Sequence, residues 1–284
     1  MKQETIDILF LGDIVGRPGR RIVAKFLEQL NNDAENSDFL KQYGFSKKPD
    51  FIIANVENAS HGFGLTEKNY NNLVNFGIGA LTSGNHIWDK KEIFGYIDKA
   101  DKLIRPFNYP KGVPGLGSRI FDVNGISIGV ISLLGRVFMT PVDSPWEALD
   151  NEVKRIKDQA YIIIVDFHAE ATAEKLSFGY FADRLGVSAV IGTHTHIQTA
   201  DERIFENGTG YITDVGYCGA SHSIIGMDIN NSVKRLVTSM PDRYEVALED
   251  KAEINGVRLL INSGNGCTEK IERIKYFSEV GEVN

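Results

Sequence analysis

Five short polar clusters in this chain hold residues that can bind cations or move protons: Asp13, Glu57-Asn58, Asn85-His86, His168 and His194-Thr195-His196. They offer carboxylates, amides and imidazoles without a thiolate. That donor set suits Mn, Fe or Zn, whereas Mg and Ca prefer all-oxygen sites. The seven ligand candidates exceed one tetrahedral site. Two ions about 3.5–4 Å apart can share a carboxylate and a water-derived hydroxide while neutralising phosphoryl oxygens, so phosphoester hydrolysis is the expected chemistry. Asn85-His86 divides the labour: the amide oxygen ligates as a neutral donor, and the adjacent His86 stays off the metal to protonate the leaving alkoxide. Taken singly, each cluster also has a plain structural reading. Asp13 can cap a helix, Asn58 and Asn85 can hold left-handed turns, and His168 can be a hydrogen-bonded core histidine.

What unites the clusters is their position. Each follows an apolar run of strand type: Ile6 to Leu11, Phe51 to Ala54, Ile78 to Thr82, Tyr161 to Val165 and Val187 to Ile191. Between such runs lie helical patterns, as in Ile22, Val23, Phe26, Leu27 and Leu30, and a helix is expected to start near Thr66, where Asn69 completes only part of a capping box. Strands alternating with helices predict an α/β fold with a partly parallel sheet. Ligands of such sheets bind beyond the carboxyl ends of the strands, where all five clusters would meet. Asn124-Gly125 inside Arg119 to Ile131, Glu206-Asn207-Gly208 and Asn255-Gly256 are expected to turn hairpins, which adds antiparallel strands.

The 284 residues, 42% apolar and 24% charged, are read as a single domain over 1–284, with the polar stretch Asn31 to Lys48 as a connection inside one sheet. A net charge of −7 argues against stable binding to duplex nucleic acid and leaves short anionic substrates open, because bound metal reverses the sign locally. No apolar run approaches the ~18 residues of a membrane span, so a cytoplasmic protein is expected. Gly12 to Arg20 lacks both the P-loop lysine pattern and the dinucleotide fingerprint. Arg17 and Arg20 are candidates to meet a substrate phosphate, and His61 and His222 are candidate substrate contacts, each set against simple exposure to solvent. Cys218 and Cys267 are too few for a disulfide framework, one isolated bridge stays open, and Cys218 is read as an inert small residue.

The set Gly12-Asp13, Val56-Glu57-Asn58-Ala59, Gly84-Asn85-His86, Asp166-Phe167-His168 and Gly192-Thr-His-Thr-His196 resembles the calcineurin-like metallophosphoesterase superfamily. Gly62 to Lys68, Trp88 to Phe94, His168 to Lys175, Gly192 to Asp201 and Tyr211 to Gly216 extend the resemblance to its bacterial YmdB-like branch, over nearly the whole chain. It implies a metallo-dependent phosphatase-like fold, a four-layer α/β/β/α sandwich with mixed sheets. It also implies a phosphodiesterase acting on 2′,3′-cyclic nucleoside monophosphates, and on 3′,5′-cyclic ones as a further class, by attack of a metal-bound hydroxide. Asp13, Glu57, Asn58 and His196 would hold one metal; Glu57, Asn85, His168 and His194 would hold the other, with Glu57 bridging and His86 as the acid.

Val15 stands where the superfamily's Asp-x-His histidine would be, Asn58 replaces that ligand, and Glu57 replaces the usual bridging Asp. Exchanging imidazole for amide hardens the site and favours Fe or Mn over Zn. Val56 replaces a Gly, Asn31 to Lys48 is longer, and Gly216 to His222 departs from the branch pattern, which bears on substrate preference. The rival readings are a phosphomonoesterase or phosphoprotein phosphatase, a nucleotide-sensing regulatory protein, and a metal store, the last disfavoured because structural sites are closed and usually single. A small nucleotide or phosphate ester is the expected partner, in a symmetric homo-oligomer such as a dimer.

Overall fold

The computed structural model describes residues 5–32, 38–45 and 47–281. Its first sheet holds β1 (Thr5–Leu11), β2 (Asp13–Ile14), β3 (Phe51–Asn55), β4 (Ala80–Thr82), β5 (Leu103–Ile104), β12 (Tyr217–Ala220), β13 (Lys251–Asn262) and β14 (Thr268–Glu279). The second holds β6 (Ser118–Val123), β7 (Ile126–Leu134), β8 (Ile162–His168), β9 (Ala189–Thr193), β10 (Arg203–Ile204) and β11 (Gly210–Ile212). Both sheets are mixed. β1, β3, β4 and β5 run parallel, as do β7, β8, β9 and β11, while β6, β10 and β13 pair antiparallel with their neighbours.

Period-2 alternation explains why these runs stack two sheets and clothe each with helices. Along β1, Ile6, Ile8 and Phe10 enter the core between the sheets, where they meet Val130, Ile164 and Ile191 of the second sheet. Leu9 and Leu11 point the other way, onto Ile22, Val23, Phe26 and Leu27 of α1 (Gly16–Asn32). In β8, Ile162 and Ile164 face the inter-sheet core, whereas Val165 and Phe167 pack beneath α4 (Pro145–Ile156) and α5 (Thr172–Arg184). Burying each such side chain contributes roughly 1.5–3 kcal/mol. With α2 (Asp38–Gln42) and α3 (Glu67–Asn75) joining α1 on the first sheet, the layers run α/β/β/α. No helix among the described residues is long and apolar enough to cross a membrane.

The Asn124-Gly125 hairpin forms between β6 and β7 with both turn residues at positive φ, 56° and 78°, and Glu206-Asn207-Gly208 turns β10 into β11. Thr66 caps α3, accepting from the Asn69 amide at 3.4 Å, while the Asn69 side chain donates to Ser60 Oγ at 2.7 Å. Two expectations need correction. Asn255-Gly256 makes no hairpin: it lies within the continuous β13, where that strand's partner changes from β12 to β1. Asn255 Nδ2 donates to Tyr217 O at 2.7 Å, and a Cβ on Gly256 would lie 2.8 Å from Phe10 O, so the pair serves strand crowding and not a turn. The stretch Asn31 to Lys48 is more than a polar connection. Residues 33–37 and 46 lie outside the described residues, but α2 and the turn after it bring Phe39 and Tyr43 to an aromatic cluster with Phe26 and Tyr276 and bury Leu40 in the same core.

Candidate metal centre

Every donor cluster sits just past, or at, the carboxyl end of a strand. Asp13 follows β1, Glu57 and Asn58 follow β3, Asn85 and His86 follow β4, His168 ends β8, and His194 and His196 follow β9. The two sheets face each other, so these ends form one rim. His168 stands at its centre, fully buried. Its Nε2 lies 3.0 Å from His194 Nδ1, 3.1 Å from Glu57 Oε1 and 3.2 Å from Asn85 Oδ1. Beside this group, His196 Nε2 lies 3.3 Å from Asn58 Oδ1 and 3.9 Å from Asp13 Oδ1.

These separations match ligands of a common cation. Two donors held at about 2.1 Å from one ion, at right angles, stand about 3 Å apart. The hydrogen-bond network also turns lone pairs toward that point. Thr193 Oγ1 donates to Asp166 Oδ1 at 2.6 Å, so it accepts from His168 Nδ1 at 2.8 Å and leaves Nε2 on the donor-cluster side. His194 Nε2 meets the Glu170 carboxylate at 3.2 Å, and His196 Nδ1 meets the Ile225 carbonyl at 2.8 Å, each freeing the other ring nitrogen. Such partners fix tautomer and raise ligand basicity. Asn58 Nδ2 donates to Gly62 O at 2.9 Å, which aims the amide oxygen at His196. Asp13 Oδ1, wholly buried, has no hydrogen-bond partner among the described residues, an expensive omission unless a cation satisfies it. Glu57, His168 and His194 bring ligand atoms within 4.8 Å of one another. The residues present therefore fit a metal.

Electrostatics agree with the geometry. Burial works against charge on Glu57, yet the His168 imidazole, by charge and hydrogen bond, more than offsets it and holds the carboxyl below its usual range. His168 moves up despite burial because Glu57, Asp13 and Asp166 surround it. Burial, reinforced by the His168 charge, pushes His194 down to about 3, so it stays neutral and able to ligate.

The rim is built at some cost in strain. His194 and His196 have φ of 101° and 64°, conformations that side chains other than glycine rarely adopt. The loop is pinned by Lys175 of α5, which donates to Thr193 O at 2.7 Å and to Asp214 Oδ2 at 2.6 Å; the same oxygen accepts the Thr195 amide at 3.0 Å. Gly84 is fixed by crowding: a Cβ there would collide with His168 Nε2 and Glu57 Oε2.

His86 reaches the same cavity, of about 480 Å³, which Glu57, Asn58, His194 and His196 also line. Its Nδ1 meets Asp89 Oδ2 at 2.8 Å, its backbone amide donates to Glu57 Oε2 at 2.9 Å, and its ring meets Phe63 edge-on at 4.8 Å. Arg17 and His61 lie elsewhere, lining a neighbouring cavity of about 490 Å³ with Arg20 and Tyr244. His222 is exposed and borders a third cavity beside Asp228 and Glu245. Cys218 is buried in β12, and burial pushes its thiol far up, which keeps it inert; both cysteines are free.

Sequence reasoning left several supports without a role: Asn55, Asp166, Thr193, Asp89, Glu170, Lys175 and Asp214. Asn55 Nδ2 donates to Asp166 Oδ2 at 2.9 Å while its Oδ1 accepts the Glu57 amide at 3.1 Å, tying β3 to β8 under the donors. A carboxylate inside the otherwise apolar run Ile162–His168 was the available signal.

A family model for YmdB-like proteins matches residues 9–274. The 2′,3′-cyclic-nucleotide 2′-phosphodiesterase of Bacillus subtilis (strain 168) is 46% identical over 267 residues, 94% of this chain and 96% of that one. A crystal structure described as a novel phosphatase from Mycoplasma pneumoniae superposes with a TM-score of 0.85 at 33% identity, over 97% of this chain and 94% of that one. A hypothetical protein from Thermus thermophilus gives 0.84 at 34% identity, over 96% and 100%. The match runs from β1 to β14 and takes in every donor gathered around His168 and His196, and on that ground the chain belongs to the YmdB-like family.

Proposed function

We propose that this chain is a dinuclear-metal phosphodiesterase that hydrolyses 2′,3′-cyclic nucleoside monophosphates, with 3′,5′-cyclic nucleotides as a second class to assay. The observation that carries this reading is the set of donors spaced about 3 Å apart around His168 Nε2, facing a cavity that His86 also lines. Asp13, Glu57, Asn58 and His196 would hold one ion, and Glu57, Asn85, His168 and His194 the other. Oxygen and imidazole donors with two amides favour Fe or Mn over Zn. When bound, such ions supply Lewis acidity, acidifying water and neutralising phosphoryl oxygens.

The chain's own residues do the rest. Glu57 is shared by the two donor sets, and its second oxygen holds the His86 amide, so acid and ligands move as one unit. Asp89 engages His86 Nδ1, which leaves Nε2 to carry a proton toward the departing ribose oxygen. The P–O2′ bond breaks as the oxygen of water bonds phosphorus; O2′ takes a proton from His86, the water gives up one proton that restores His86 through solvent, and a nucleoside 3′-phosphate leaves. Phe63, Ile225, Met227, Leu236 and Tyr244 form an apolar wall suited to ribose and base.

The test is kcat/KM of Mn- or Fe-loaded protein on 2′,3′-cyclic AMP beside 3′-AMP and p-nitrophenyl phosphate. The cyclic diester is expected to be the better substrate. A monoester preferred over it would replace this reading with that of a phosphomonoesterase.

A further inference from the structure

Resting on that reading, we propose that the substrate is the 2′,3′-cyclic phosphate end of a short single-stranded oligoribonucleotide, whose next phosphate is held in the cavity lined by Arg17, Arg20 and His61. This cavity adjoins the catalytic one, and Tyr244 lines both. Its guanidiniums, Arg17 and Arg20, face a single carboxylate, Glu245, in a chain whose net charge is −7. The side chains of Arg17 and His61 make no hydrogen bond or ion pair with any described residue, and Arg20 spends one nitrogen on Ala59 O. Burial disfavours the charge on Arg20, and the neighbouring charges of Arg17 and Arg21 disfavour it further, a repulsion that a bound anion relieves.

The cavity sits close beside the metal ligands. The Gly16 amide donates to Asn58 O at 2.9 Å, so Arg17 is one residue from a backbone contact with the site, and His61 is three residues beyond Asn58. The route between the cavities is aromatic: the His86 ring meets Phe63 at 4.8 Å, Phe63 meets Tyr244 at 6.1 Å, and the Arg235 guanidinium lies 3.9 Å over Tyr244. Cationic pockets alternating with aromatic faces are how proteins hold single strands, through phosphate contacts and base stacking. A lone cyclic mononucleotide would leave the cationic cavity unused. Acidic net charge still repels long duplexes, so the fit is to a short, single-stranded end.

Binding of the product-type dinucleotide ApAp and of 3′-AMP, measured by titration calorimetry, reads this cavity without turnover. Wild-type protein is expected to bind ApAp at least about tenfold more tightly, the scale of one charge-assisted contact. R17A should shrink that ratio to within about twofold, and R17E should invert it. Equal affinity of wild type for the two ligands, or a ratio that survives R17E, overturns the proposal. Adenosine 5′-phosphate 2′,3′-cyclic phosphate supplies the second phosphate without a second base. If it equals the cyclic ApA dinucleotide in kcat/KM, the oligonucleotide reading fails in favour of a bisphosphorylated nucleotide; a further gain for the dinucleotide that Y244A removes supports it. If no cyclic ester of either length is hydrolysed, the proposed activity fails, while the ApAp ratio still decides the cavity.

Discussion

Lys175 Nζ and Asp214 Oδ2 lie 2.6 Å apart, each side chain 1% exposed, and together they hold the backbone from Thr193 to Thr195 at the rim of the second sheet. A buried ion pair is weak evidence of net stabilisation, but removing one partner strands the other's charge at a cost of ~3–5 kcal/mol. Lys175→Met should therefore lower unfolding free energy by about that amount in urea titration. A change within about 0.5 kcal/mol would mean that Asp214 finds another partner.

Glu170 touches His194 from the solvent side and is half exposed, so its removal should leave the fold intact. Glu170→Gln is expected to weaken Mn affinity about 10–100-fold, the usual effect of losing a carboxylate behind a ligating histidine, without a shift in thermal midpoint. Unchanged metal affinity would remove Glu170 from the orienting role.

Gly84→Ala places a methyl group against His168 and Glu57 at once. Relieving that contact by moving His168 separates the donors, so metal content should fall while overpacking costs ~1–3 kcal/mol. Full metal content in the Ala variant would show that the rim has room it is not expected to have.

Asp201 ties the segment after His196 to the residue that follows β11 by accepting from Thr199 Oγ1 at 2.6 Å and from the Thr213 amide at 3.1 Å. Burial opposes its charge, but these hydrogen bonds outweigh burial and hold the carboxyl below its ordinary value. Its stabilising contribution is therefore present above the unfolded pKa of about 3.9 and is lost as pH falls through the folded value. Asp201→Asn should flatten the acid limb of stability against pH below about 4, read by urea midpoints at several pH values. An unchanged acid limb would assign it to other carboxylates.

The strand ends were legible because a fully buried strand is apolar throughout, which makes Asp13, Glu57, Asn85 and His168 conspicuous where the apolar run stops. Period-3.6 spacing from Ile22 to Leu30 likewise marked α1. The supports were harder to read. Asp166 and Lys175 look misplaced in a strand and a helix until their partners, far apart in sequence, are brought together; Asn55 reads as a strand-end turn residue. Asn255-Gly256 misled because turn chemistry and close strand approach ask for the same small, permissive residues. Residues 38–45 read as polar because only Phe39, Leu40, Tyr43 and Phe45 carry the apolar face, too short a run for periodicity to register.

The central claim is that seven side chains hold two ions with Glu57 common to both, and metal content per chain tests it most directly. Elemental analysis of protein reconstituted with Mn or Fe and freed of loose metal should find two ions per wild-type chain. Glu57→Gln, folded by circular dichroism, should lose both together. A single ion in the wild type, or two retained without the Glu57 carboxylate, would contradict the account.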